Sequence, residues 1–66
     1  MNAPYSVEEF GECYRVIDSA CDVLATCEPY WNREKQEYEK IGEARDRAKS
    51  ICSAMNMVHY LKEILL

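Results

Sequence analysis

Four cysteines and a single histidine are the residues of this chain best suited to metal or nucleophilic chemistry. The cysteines are Cys13, Cys21, Cys27 and Cys52, and no two of them have the close spacing that structural zinc sites use. Cys52 and His59 are seven residues apart, so in a helix they share one face. Two interpretations of that pair stay open: a thiol or metal sensor, and packing in an apolar core.

Free cysteine is among the most buried residue types, so we interpret all four thiols as reduced core residues without bound metal. A disulfide between Cys52 and either Cys13 or Cys21 is the redox alternative. The sequence contains no glycine-rich phosphate loop, no H-E-x-x-H and no G-x-S-x-G, which are the local signatures of several enzyme classes. We therefore predict a non-catalytic protein without a cofactor or metal.

The spacing of apolar residues predicts the elements that would position these side chains. Across residues 7–27 the apolar side chains fill an arc of about 200° at 100° per residue, which predicts a helix over about 6–28 that is covered on two sides. Pro29 ends that helix. Residues 30–65 are predicted as one long helix, either continuous or broken near Gly42. The predicted fold is all-α, a single antiparallel helical hairpin.

On the predicted long helix an apolar stripe begins at Tyr38 and includes Ala44, Ala48 and Cys52. Its small alanines would let a neighbouring helix approach closely. A second apolar stripe follows on the last third of that helix, on the opposite side. It leaves that helix with more apolar surface than one neighbour covers, which favours a helical-bundle dimer. The residues assigned to this oligomer interface are Ala54, Met57, Leu61, Ile64 and Leu65.

The chain has a formal net charge of −4. Residues 1–31 hold six acidic side chains and one basic side chain, a net charge of −5. This balance argues against direct nucleic-acid binding and favours a protein partner with a basic surface. On the predicted first helix one acidic strip is predicted to contact that partner, with a solvated face as the alternative. It consists of Glu8, Glu12, Asp18 and Asp22.

Two further groups of residues allow a functional and an ordinary interpretation. Tyr30 and Trp31 are of the types enriched at binding hot spots, which makes them candidate partner-binding residues. The ordinary interpretation is that they cover the open end of the hairpin. For Arg45, Arg47 and Lys49 the functional interpretation is a nucleic-acid site. The three do not share a helix face, so we interpret them as a solvated, salt-bridged surface.

In size, acidity and lack of catalytic motifs the chain resembles the small acidic proteins that phages make to inhibit host machinery, including anti-CRISPR proteins. That resemblance implies an inhibitor that docks on a basic, nucleic-acid-binding surface of its target. The alternatives are a structural subunit that only self-associates and a sensor built on Cys52 and His59. With no apolar run long enough to span a membrane and no visible signal peptide, we expect a cytoplasmic protein.

Overall fold

Residues 3–65 are described by a computed structural model, and their first half forms a β-sheet. Strands β1 (Ser6–Phe10), β2 (Cys13–Ile17) and β3 (Val23–Cys27) make an antiparallel sheet in the order β1-β2-β3. The register pairs Val7 with Val16 and Val16 with Ala25. Strand β2 is therefore central, and β1 and β3 are the edges.

Alternation along the strands divides the sheet into two faces, since successive side chains in a strand point in opposite directions. Val7, Val16 and Ala25 lie on the face that packs against the single helix. The other face includes Phe10 and Arg15, whose guanidinium carbon lies 3.4 Å from the centre of the Phe10 ring. The helix covers the first face only.

The two turns of the sheet are built from residues that suit them. Gly11 has a φ of +61°, a left-handed conformation that glycine adopts without a Cβ clash. In the β2–β3 turn the Asp18 carboxylate accepts backbone N–H groups from Ala20 at 2.9 Å and Asp22 at 3.0 Å. Such side-chain bonds are how aspartate stabilises turns, and Cys21 in the same turn has a φ of 65°.

A short hairpin and the helix follow. Strands β4 (Trp31–Asn32) and β5 (Glu37–Tyr38) pair antiparallel, and helix α1 (Ile41–Leu65) completes the fold. The helix begins with a reciprocal cap, in which the Lys40 N–H donates to Glu43 Oε2 at 3.1 Å and the Glu43 N–H donates to the Lys40 carbonyl at 3.0 Å.

The core between sheet and helix is small. Val16, Ala44 and Ala48 have no exposed surface, and Cys27 and Cys52 are also buried. Alanines on α1 let the helix approach the sheet closely. The smallest dimension of the molecule is 14 Å, which fits two layers of secondary structure at a spacing near 10 Å.

The all-α helical hairpin predicted from the sequence is wrong, and so is the helical bundle that two such hairpins would form. The predicted helix over 6–28 is three strands, because β-branched residues and two turns interrupt what a helical projection displays as one apolar arc. The predicted long helix over 30–65 is helical only from Ile41, and its first part is the β4–β5 hairpin. The sequence left open a break of the helix near Gly42. In the structure Gly42 is the second residue of α1, so the helix begins there. Helix α1 is not long and apolar enough to cross a membrane within the residues described.

The thiols divide into two classes, which corrects the expectation that all four are buried. Cys21 is exposed and Cys13 is half-buried, whereas Cys27 and Cys52 are buried. With a chromogenic thiol reagent we expect Cys21 to react first, Cys13 more slowly, and the two core thiols only after unfolding. Peptide mass spectrometry of partly labelled protein identifies the order. Early labelling of Cys52 in folded protein would contradict the packing described here.

Candidate interaction site

The candidate site is an open cleft at the end of the molecule where the β1–β2 turn meets the β4–β5 hairpin. We call it the aromatic cleft. It has a volume of about 600 Å³. Its lining consists of Phe10, Gly11, Glu12, Cys13, Glu28, Pro29 and Tyr38.

Two turns position the aromatic and acidic side chains of the cleft. Phe10 and Cys13 are the paired residues that close the β1–β2 hairpin, so Glu12 lies in the turn beside them. In the second hairpin Tyr38 pairs with Trp31, and their rings meet edge to face with centroids 5.2 Å apart. Such pairs add stability beyond the area they bury, so Trp31 helps to hold Tyr38 in place.

Arg47 anchors the second hairpin to the helix. Its guanidinium donates to Glu39 Oε1 and, at 2.8 Å, to the Glu28 carbonyl, and it lies 4.7 Å from the centre of the Tyr30 ring. The hydrogen bond that Arg47 donates to the Glu39 carboxylate raises the pKa of the guanidinium above its ordinary value. Glu39 also accepts the Tyr30 N–H at 3.4 Å, and its own N–H donates to the Tyr30 carbonyl at 3.0 Å. One arginine thus fixes both ends of the hairpin.

The cleft combines aromatic surface with negative charge. Phe10 is 58% exposed and Tyr38 is 68% exposed, so both rings are available to a partner. Glu12 and Glu28 are the acidic residues of the lining, and both are exposed. The guanidinium of Arg15 already lies against the Phe10 ring in a cation–π contact, and the exposed remainder of the ring still lines the cleft.

The four acidic residues assigned to one helical strip are not brought together. Glu8 lies in β1, and Glu12 lies in the turn at the cleft. Asp18 and Asp22 lie in the β2–β3 turn at the opposite end of the strands, where the Asp18 carboxylate is occupied by backbone N–H groups. The acidic helical strip is therefore wrong, because the helix that defined it does not form.

Tyr30 and Trp31 lie next to each other in sequence but have different surroundings. Tyr30 is 54% exposed and lies against Arg47, and Trp31 is 48% exposed and lies against Tyr38. Both contribute exposed aromatic surface near the cleft, although neither is among its lining residues.

Cys52 and His59 have separate partners. The Asn56 amide donates to Cys52 Sγ at 3.5 Å, while His59 Nε2 lies 2.8 Å from Glu63 Oε1. The His59 ring also meets Tyr5 edge to face. In the part of the chain that the structure describes, no group of three His, Cys, Asp or Glu side chains is arranged to hold a metal ion.

The sequence reasoning missed Phe10, Tyr38 and Arg47. Phe10 was placed within the predicted first helix, and Arg47 was interpreted as a solvated surface charge. A usable signal was present for the hairpin, since Trp31 and Tyr38 are aromatic residues that flank a charged, polar segment. Nothing local to Arg47 points to Glu39 and the Glu28 carbonyl, because those contacts depend on the tertiary fold.

The residues assigned to an oligomer interface lie on the outer face of α1. Met57, Leu61, Ile64 and Leu65 are exposed large apolar side chains, and Ala54 is exposed beside them. They form a surface distinct from the aromatic cleft. No protein family model, curated protein or solved structure matches this chain.

Proposed function

We propose that this chain is a small non-catalytic protein-binding protein that captures a basic segment of its partner in the aromatic cleft. The observation that carries the proposal is the presence of two exposed aromatic rings, Phe10 and Tyr38, in one cleft with the carboxylates of Glu12 and Glu28.

This combination suits a lysine or arginine side chain. An aromatic face attracts a cation by about 0.5–2 kcal/mol depending on its exposure, and a carboxylate accepts charge-assisted hydrogen bonds from the same group. The excess of acidic residues in 1–31 extends the favourable potential beyond the cleft. Charge of this kind raises the rate of association more than the final affinity.

Inhibition is the form of activity that follows from such binding. A basic segment that is held by this protein is not free to contact phosphates, so a nucleic-acid-binding partner loses its substrate by competition. The acidic residues responsible are those at the cleft, in place of the helical strip predicted from the sequence.

The test is selection from a random peptide display library, followed by affinity measurements on a fluorescent basic peptide from the selected pool. We expect enrichment of lysine and arginine, and an association rate that falls steeply with salt, since screening acts beyond about 8 Å at physiological ionic strength. The double variant Glu12→Lys/Glu28→Lys should weaken binding at least about tenfold, which is a loss near 1.4 kcal/mol.

The matched control is Glu34→Lys/Asp46→Lys, which changes the net charge equally at exposed positions outside the cleft. It should bind within about twofold of the parent. Tyr38→Phe should retain binding and Tyr38→Ala should lose it, since the ring is the contact. A library that yields no basic peptides, or a control that loses as much affinity as the cleft variant, would overturn the proposal.

A structural role through self-association is the second candidate function. It is favoured by a separate observation, the exposed apolar face of α1, and it does not depend on the aromatic cleft.

A further inference from the structure

The outer face of α1 carries apolar side chains in a regular pattern. We call this face the outer stripe and define it as Ala54, Met57, Leu61, Ile64 and Leu65. Steps of three, four and three residues separate Ala54, Met57, Leu61 and Ile64. Those are the a and d spacings of a helix that packs against another helix.

The outer stripe points away from the sheet. At 100° per residue its centre lies about 150° around the helix from Ala44, Ala48 and Cys52, which are the helix residues buried in the core. Met57 is 59% exposed and Leu65 is 78% exposed. The fold of one chain therefore leaves these side chains in water.

The total exposed area indicates how large the missing interface is. The chain exposes 5203 Å², whereas a folded monomer of 7.7 kDa exposes about 4,300 Å². The surplus of about 900 Å² is close to the roughly 800 Å² that each partner buries in a standard protein interface.

We propose that the occupant of the outer stripe is the outer stripe of a second copy of this chain, packed antiparallel in a closed dimer. In this antiparallel register the numbers of two facing residues add up to 118. Ala54 therefore faces Ile64 of the second copy, Met57 faces Leu61, and the twofold symmetry repeats both contacts. These four layers are entirely apolar. Helix macrodipoles favour the antiparallel direction over the parallel one.

The charge distribution is compatible with this arrangement. The order of layers in the dimer is sheet, helix, helix, sheet, so the acidic residues of 1–31 lie mainly on the two outer layers. Two helix layers between the sheets separate them by more than the Debye length of about 8 Å at physiological salt. Within 54–65, Glu63 is the only acidic residue, and it lies off the outer stripe at hydrogen-bond distance from His59.

The first experiment is sedimentation equilibrium of the parent and two variants. We expect a dimer for the parent, and for Leu61→Glu a dissociation constant raised at least about a hundredfold, because symmetry removes each leucine contact twice. Leu61→Glu should keep its far-UV circular dichroism, since Leu61 lies outside the core. Lys49→Glu, an exposed charge change elsewhere on α1, should dimerise as the parent does.

The second experiment tests the direction of packing by disulfide formation in a Cys13→Ser/Cys21→Ser background. Ala54→Cys and Ile64→Cys should each stay unlinked alone, because their counterparts lie about 15 Å apart along the axis. A mixture of the two should form the linked heterodimer. A monomeric parent, a ladder of larger species, or efficient linkage of either variant alone would overturn the proposal.

Discussion

Replacing Ala48 with glutamate should abolish the native fold. Ala48 has no exposed surface and faces the sheet beside Val16, so the larger side chain has no room and its charge has no partner there. Overpacking costs about 1–3 kcal/mol, and a buried unpaired charge costs several more. The whole stability of 66 residues is about 3–10 kcal/mol.

Far-UV circular dichroism during urea titration measures this loss. The matched control is Ala54→Glu, the same substitution six residues further along α1 at an exposed position. That variant should keep its secondary structure as a monomer. A folded Ala48→Glu protein, with a urea midpoint near that of the parent, would show that the sheet does not cover this face of the helix.

The second large effect is expected from Arg47→Met, which keeps much of the side-chain volume and removes the guanidinium. Glu39, whose side chain is only 12% exposed, then loses its main partner, and the Glu28 carbonyl loses a donor. We expect a loss of about 2 kcal/mol in the free energy of unfolding, after allowing for the partial exposure of Arg47. The hairpin should also separate from the helix.

Limited digestion with trypsin detects that separation. Cleavage at Arg33 and Lys35, both exposed on the hairpin, should accelerate in Arg47→Met while the core remains folded. Arg45→Met is the control, because Arg45 pairs with exposed Asp46 at 3.6 Å and such surface pairs contribute little. Equal digestion rates for the two variants would remove Arg47 from its anchoring role.

The inward face of α1 could be predicted from the sequence, and the sheet could not. The stripe that includes Ala44, Ala48 and Cys52 was expected to face a neighbouring element, and all three are buried. The small size of Ala44 and Ala48 indicated a close neighbour. The sequence reasoning expected that neighbour to be a helix, and it is the sheet. Helical periodicity is a local property, so it survives in a single sequence.

The error over residues 6–28 has a physical cause. Apolar residues are so dense there that they satisfy the period of a helix and of a strand at once. Val16 and Ile17 illustrate this, because the first lies on the core face of β2 and its neighbour on the other. Gly11 and the aspartates of 18–22 were the available turn signals, and β-branched residues favoured strands.

The cleft was predictable only in its residue types. The sequence showed the aromatic pair Tyr30 and Trp31 and the acidic first half of the chain. Both aromatic residues are exposed near the cleft. Phe10 and Tyr38 line the same cleft because of two turns and the Arg47 contacts. Those features involve residues far apart in the chain. Long-range pairings of this kind leave no local pattern.

The position of Trp31 has a spectroscopic consequence. It is the single tryptophan of the chain, and it lies on the small hairpin, outside the buried cluster around Val16. Its fluorescence therefore responds to the opening of the hairpin, whereas the ellipticity at 222 nm responds mainly to α1. Segments with few buried contacts open at lower free energy than the core, so the fluorescence transition in urea should precede the ellipticity transition, and two-state analysis of either signal alone misstates the stability of the fold.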